Sequence, residues 1–99
     1  MTKPDGTETR VVADGVIIAT GSSWPNLPLF PIDGTQIITS KQALDLSRIP
    51  VSLLIVGGGV EGCEFASLYS GLGTQVTLVE LVPRLLPLED EEISQMMER

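Results

Sequence analysis

Ile55-Val56-Gly57-Gly58-Gly59-Val60-Glu61-Gly62, followed by Ala66 and then by Gln75-Val76-Thr77-Leu78-Val79-Glu80, decides the fold of this 99-residue chain. The glycines follow an apolar run, Val51 to Val56, that is short, nearly continuous and rich in β-branched residues. Such a run suits a parallel strand buried on both faces. After the glycines, Phe65, Leu68, Tyr69 and Leu72 fall at i, i+3, i+4 and i+7. That spacing predicts a helix with one apolar face. Gly71 and Gly73 can stop it, because glycine takes the left-handed cap without strain. Gln75 to Glu80 predicts a second strand, ending in a carboxylate eighteen residues after Gly62. A strand, a glycine turn, a helix and a second strand with an acid at its tip is the arrangement that holds the ADP half of a dinucleotide.

Each residue has a chemical reason to be there. Gly57 allows the tight turn out of the strand, and Gly59 lets a pyrophosphate approach the backbone. Gly62 and Ala66 are small enough for helix and strand to pack closely. The phosphates then face free N–H groups and the positive end of the helix dipole. Glu80 can accept hydrogen bonds from a ribose 2′-hydroxyl and would repel a 2′-phosphate, which favours NAD over NADP. Arg84, four residues on, softens that preference.

Composition agrees with a small folded piece. Hydrophobic residues make up 42% of the chain, which sets it apart from a disordered tail. The formal net charge of −7 argues against nucleic acid and anionic membranes as partners. Much of it lies in Glu89-Asp90-Glu91-Glu92, read as a solvated helix start. No apolar run approaches the length of a membrane span, and no signal sequence is visible. With one cysteine, Cys63, and no histidine, a disulfide framework within the chain is excluded, which suits a reducing, cytoplasmic setting. Cys63 lies inside the nucleotide helix and reads as a packing residue. Metal ligation is not suggested.

In the N-terminal half, Asp5-Gly6 and Asp14-Gly15 are turn signals, with Glu8 to Val12 as a strand between them. Val16-Ile17-Ile18-Ala19 reads as a buried strand running into Thr20-Gly21-Ser22. A loop punctuated by Pro25, Pro28 and Pro31 follows, whose Trp24, Leu27, Leu29 and Phe30 are expected to pack against something. Ser40 reads as the N-cap of a short helix, Lys41 to Ser47, stopped by Pro50. At the other end, Asp90 reads as an N-cap, with Ile93, Met96 and Met97 beginning an apolar helical face.

Taken in order, Val16 to Ser22, the proline loop, Thr39-Ser40 with Ala43-Leu44, Ile49-Pro50, and Gly57 to Ala66 resemble the middle of a flavin-dependent pyridine nucleotide-disulfide oxidoreductase. The resemblance runs from about Asp5 to the end of the chain. It implies an α/β class, a Rossmann-like FAD/NAD(P)-binding fold present as a truncated βαβ unit with a preceding β-hairpin segment. It implies that residues 1–22 are the end of the FAD-binding domain, 23–50 a connecting loop and short helix, and 51–99 the N-terminal part of the NAD-binding domain. FAD would approach the backbone of Thr20, Gly21 and Ser22. NAD would lie along Gly57, Gly58, Gly59, Val60, Glu61, Gly62, Cys63 and Glu64, with Glu64 near the nicotinamide end and Glu80 on the ribose. Glu61 stands where the family has an aliphatic residue; it either favours the helix dipole from solvent or repels the phosphates.

The family also requires a flavin fingerprint, a redox-active cysteine pair and a histidine–glutamate acid–base pair, none of which this chain carries. The expectation is therefore a truncated piece without catalytic residues, its sheet edges exposed or covered by a partner chain. The resemblance implies a homodimeric parent and leaves membership of a 2-oxoacid dehydrogenase complex open. A stand-alone dinucleotide-binding module, a fragment of a related NADH oxidase, glutathione reductase or mercuric reductase, and a remnant without function also remain open.

Overall fold

A computed structural model describes residues 2–25 and 27–99. The chain divides into two compact units, residues 1–39 and 40–99, each described by itself.

The first unit is built from turns. Gly6, at φ 82°, closes the Asp5-Gly6 turn, with Lys3 N–H donating to the Thr7 carbonyl at 2.9 Å. One antiparallel bridge, Thr2 to Glu8, is all that forms of the expected hairpin. Val16-Ile17-Ile18-Ala19 is not a buried strand: these residues pair with no other strand among the described residues, and Ile17 is 92% exposed. A strand needs a neighbour for its backbone groups, and hydropathy alone does not supply one. The residues Trp24, Leu27, Leu29 and Phe30 also stay on the surface, against expectation.

The best-defined feature of this unit is one that the sequence reading passed over. One carboxylate oxygen of Asp33 accepts the backbone N–H groups of Thr35, Gln36 and Ile37 at 2.8, 2.8 and 2.9 Å, and the Thr35 hydroxyl at 3.1 Å. Asp-Gly-Thr at 33–35 carries the signature, since aspartate readily bonds the backbone two residues on.

The second unit runs helix α1 (Ser40–Leu44), strand β1 (Ser52–Val56), helix α2 (Val60–Gly71), strand β2 (Gln75–Val79) and helix α3 (Glu91–Met97). β1 and β2 are parallel, Ser52 opposite Gln75 through to Val56 opposite Val79, with α2 as the crossover. This is the expected βαβ unit. Two side-chain and backbone ties fix the start of the ladder: the Thr74 hydroxyl donates to the Pro50 carbonyl at 2.8 Å, and Gln75 N–H to the Val51 carbonyl at 2.9 Å.

α2 ends where glycine allows. Gly73, at φ 88°, sends its N–H to the Ser70 carbonyl while Thr74 N–H reaches the Tyr69 carbonyl, each at 3.0 Å. That pair of bonds is a Schellman cap, and it satisfies carbonyls that the helix end would otherwise leave free. α1 is shorter than expected. It starts at Ser40 rather than after it and closes at Leu44 with an i to i−3 bond from Asp45 N–H to the Gln42 carbonyl at 3.1 Å. Tyr69 pins α1 to α2 by donating its hydroxyl hydrogen to the Ala43 carbonyl.

Burial departs from the sequence reading in three places. In both strands only alternate residues turn inward: Leu53 and Ile55, Val76 and Leu78 are half-buried, whereas Leu54, Val56 and Val79 are exposed. One helix covers one face of a two-stranded sheet, so a strand apolar on both faces buries only one. On α2 the buried side chains are Cys63 and Tyr69, while Leu68 and Leu72 are about half exposed. On α3 the inward residue is Ser94, at 2% exposure, and Ile93, Met96 and Met97 face out. Asp90 stands at the N-cap position of α3 with no side-chain cap bond. Among the described residues, no helix is long and apolar enough to cross a membrane.

The Asp33 turn gives a pH prediction. Its backbone bonds, led by that from Thr35, hold the carboxyl down to about 2. A depressed folded pKa adds stability above the ordinary aspartate range that is lost as pH falls through about 2. Carbon-detected NMR titration should place the Asp33 midpoint there; a midpoint near 4 would contradict the turn.

Candidate functional site

The glycine turn between β1 and α2 is set by backbone geometry. Gly57 leaves β1 at φ 112°, a conformation that side-chain-bearing residues rarely adopt, and its N–H continues the ladder to the Val79 carbonyl at 2.9 Å. Gly62 sits against the turn on the next element. A Cβ there would lie 1.9 Å from the Gly57 carbonyl oxygen and 3.6 Å from Ile55 Cγ2. Helix and strand can approach this closely only because position 62 has no side chain.

Gly58 is the point where the surrounding elements meet. Its N–H donates to Glu80 Oε2 at 2.6 Å. Its carbonyl accepts the Leu86 N–H at 2.7 Å and faces the Cys63 thiol at 3.5 Å. Gly59 lies on the other side, and nothing approaches within 4 Å of where its Cβ would be. It is also the N-cap of α2, with no side-chain cap bond. The helix start is thus without a bond from an N-cap side chain, which suits an incoming anion.

Glu80, just past the end of β2, has both oxygens engaged. Besides Gly58 N–H, it accepts Leu81 N–H at 2.6 Å and Val82 N–H at 3.1 Å through Oε1. These three donors, the Gly58 bond first, hold the carboxyl below the usual glutamate range, so it is ionised at neutral pH. A carboxylate has about four lone-pair positions, so three bonds leave capacity for a ribose hydroxyl. Arg84 is turned elsewhere: its guanidinium donates to the Pro87 carbonyl at 2.7 Å and the Glu89 carbonyl at 3.3 Å. The softening of NAD preference that its proximity in sequence suggested finds no geometry here.

The remaining positions fall into groups. Val60, Glu61 and Glu64 are exposed along the first turns of α2. Cys63 is buried, its N–H bonded to the Gly59 carbonyl at 3.0 Å. Burial and the negative Glu80 both push its thiol up, which disfavours the thiolate. Thr20, Gly21 and Ser22 belong to the first unit, exposed and without regular structure, with Gly21 at φ 80°. A largely apolar groove of about 760 Å³ on the flank of α2 is lined by Val60, Phe65, Leu68, Leu86, Ile93 and Met97 among others, and by none of the glycines or Glu80. Among the described residues no cluster could hold a metal ion.

The sequence reading missed Leu86, Ser94 and Glu98. The Ser94 hydroxyl donates to the Leu86 carbonyl at 3.1 Å, and Glu98 Oε1 accepts the Leu85 N–H at 3.0 Å. A serine in an acidic helix carries no signal of this in sequence.

Comparison with known proteins follows the same lines. The model of the family described as pyridine nucleotide-disulphide oxidoreductase matches residues 1–99. A dihydrolipoyl dehydrogenase of Bacillus subtilis (strain 168) is 53% identical over 94 residues, 95% of this chain and 20% of that protein. One from Chlorobaculum tepidum is 44% identical over the whole chain and 21% of its own length. One from Trypanosoma brucei brucei is 39% identical over 91% of the chain and 19% of its own length. The chain thus spans about a fifth of the length of these relatives.

The packing at Gly62 gives a prediction. Gly62→Ala should destabilise the chain by about 1–3 kcal/mol through overpacking, despite alanine's better helix propensity. Gly71→Ala, whose Cβ meets nothing within 4 Å, should be neutral or stabilising. Denaturant midpoints distinguish the two, and an unchanged midpoint for Gly62→Ala would refute the close approach.

Proposed function

The chain belongs to the pyridine nucleotide-disulphide oxidoreductase family, and from that premise we propose that residues 51–99 form the opening part of an NAD-binding domain. The observation that carries this is the ionised Glu80, braced against Gly58 beside the open side of Gly59 and an uncapped helix start. In this reading the pyrophosphate lies along Gly57 to Gly62 at the start of α2, and Glu80 takes the adenine-side ribose. Val60, Glu61, Cys63 and Glu64 complete the segment, Glu64 toward the nicotinamide. The Arg84 guanidinium is committed to the Pro87 and Glu89 carbonyls rather than held for a 2′-phosphate, which supports NAD over NADP.

The wider reading is that of a portion of a dihydrolipoyl dehydrogenase, the name its relatives bear. There dihydrolipoamide is oxidised, and FAD passes the electrons to NAD. This chain contributes binding and orientation. Residues 1–22 would end an FAD-binding domain, the Thr20, Gly21 and Ser22 backbone nearing the flavin, and 23–50 would connect the two. The homodimeric parent and its place in a 2-oxoacid dehydrogenase complex belong to the same reading.

Two measurements test it. Titrated with NAD and NADP, the chain should prefer NAD, and Glu80→Ala should shrink the ratio of the two affinities whatever it does to each; an unchanged ratio would remove Glu80 from the ribose. Supplied with FAD, NAD and dihydrolipoamide, the 99-residue chain should form no NADH, because it has one cysteine and no histidine. Lipoamide-dependent NADH formation by the pure chain would overturn that.

A further inference from the structure

Leu86 has a φ of 48°, the positive value found among the described non-glycine residues. A residue with a Cβ holds the left-handed conformation only where its surroundings over-determine it. The surroundings here are specific. Leu86 is 6% exposed, its N–H donates to the Gly58 carbonyl at 2.7 Å, and its own carbonyl accepts both the Glu89 N–H at 3.0 Å and the Ser94 hydroxyl at 3.1 Å. Ser94 is 2% exposed. The bend aims the N–H at the glycine turn and the carbonyl at the loop end and α3, and the Ser94 hydroxyl is the bond that ties it to α3.

The consequence lies one peptide bond away. The Gly58 carbonyl points at Leu86 N–H and the Cys63 thiol. No described peptide is cis, and in a trans peptide the N–H of the next residue points the opposite way. The Gly59 N–H is therefore directed away from Leu86, and Gly59 has open space about its Cβ position. We propose that Ser94 is a positioning residue: it holds Leu86 left-handed, Leu86 holds the Gly58 carbonyl, and the Gly59 N–H is thereby aimed at the pyrophosphate of a bound dinucleotide. This rests on the NAD reading above and adds to it a residue fourteen positions beyond Glu80, on a different element.

The test uses the whole chain and three variants. Ser94→Ala leaves the Leu86 carbonyl with the Glu89 N–H alone, untied from α3, and should weaken NAD binding roughly fivefold. Ser94→Cys, with a weaker donor and similar volume, should fall between it and the unmodified chain, and it serves if Ser94→Ala does not fold. Tyr69→Phe, which loses a hydroxyl at the far end of α2, should bind NAD as the unmodified chain does. The loss in Ser94→Ala should appear with ADP and be less than about twofold with adenosine, which has no pyrophosphate to receive the aimed N–H. Equal NAD affinity in the unmodified chain and the serine variants would overturn the positioning role and leave the NAD site standing. Equal losses for ADP and adenosine would overturn it as well, by showing general loosening. An unmodified chain that binds no NAD would overturn the NAD reading itself and this inference with it.

Discussion

The peptide groups of Gly58 hold the second unit together at its functional end. The N–H is taken by the carboxylate beyond β2, and the carbonyl by the loop before α3 and the thiol of α2. The start of α2, the end of β2 and the loop before α3 thus converge on one residue that has no side chain to interfere. A Cβ at this position would meet Leu85 Cδ2 at 2.6 Å and the Glu80 side chain at 3.2 Å, and one at Gly62 would strike the Gly57 carbonyl. The glycines are required less for flexibility than for proximity. Only Gly57 needs its left-handed freedom to leave the strand.

Electrostatics follow from the same junction. Three backbone N–H groups around one carboxylate keep Glu80 ionised, and the same charge helps to keep the neighbouring thiol of Cys63 protonated. The acid braces the turn through these three bonds. At the start of α2 the balance is different. Exposed Glu61, in the first turn, interacts favourably with the positive end of the helix dipole.

The βαβ unit was legible because its signals are local. The β-branched runs, the glycine spacing and the cap at Gly73 each follow from backbone sterics that a few neighbouring residues determine. Burial was less legible, since it depends on what covers a surface. Leu54, Val56 and Val79 have the composition of buried strand residues and face outward from a sheet covered on one side. Val16 to Ile18 repeat the lesson in the first unit, where these apolar residues pair with no strand among the described residues. The glycines and Glu80 could be named from spacing, but the hydrogen bonds that organise them could not. Leu86, Ser94 and Glu98 act through backbone carbonyls and N–H groups, and nothing in side-chain identity announces such partners. Arg84 shows the converse: four residues from the ribose acid in sequence, it turns to the Pro87 and Glu89 carbonyls in space.

The most direct test of the central claim is a backbone amide NMR titration of the chain with NAD. If the pyrophosphate lies on the turn organised by Gly58, the largest shifts fall on the amides of Gly59 to Gly62 and on Leu81, beside the Glu80 carboxylate. Shifts confined to the apolar flank of α2, around Phe65, Leu68 and Ile93, would contradict it and move the ligand to the groove that no glycine lines.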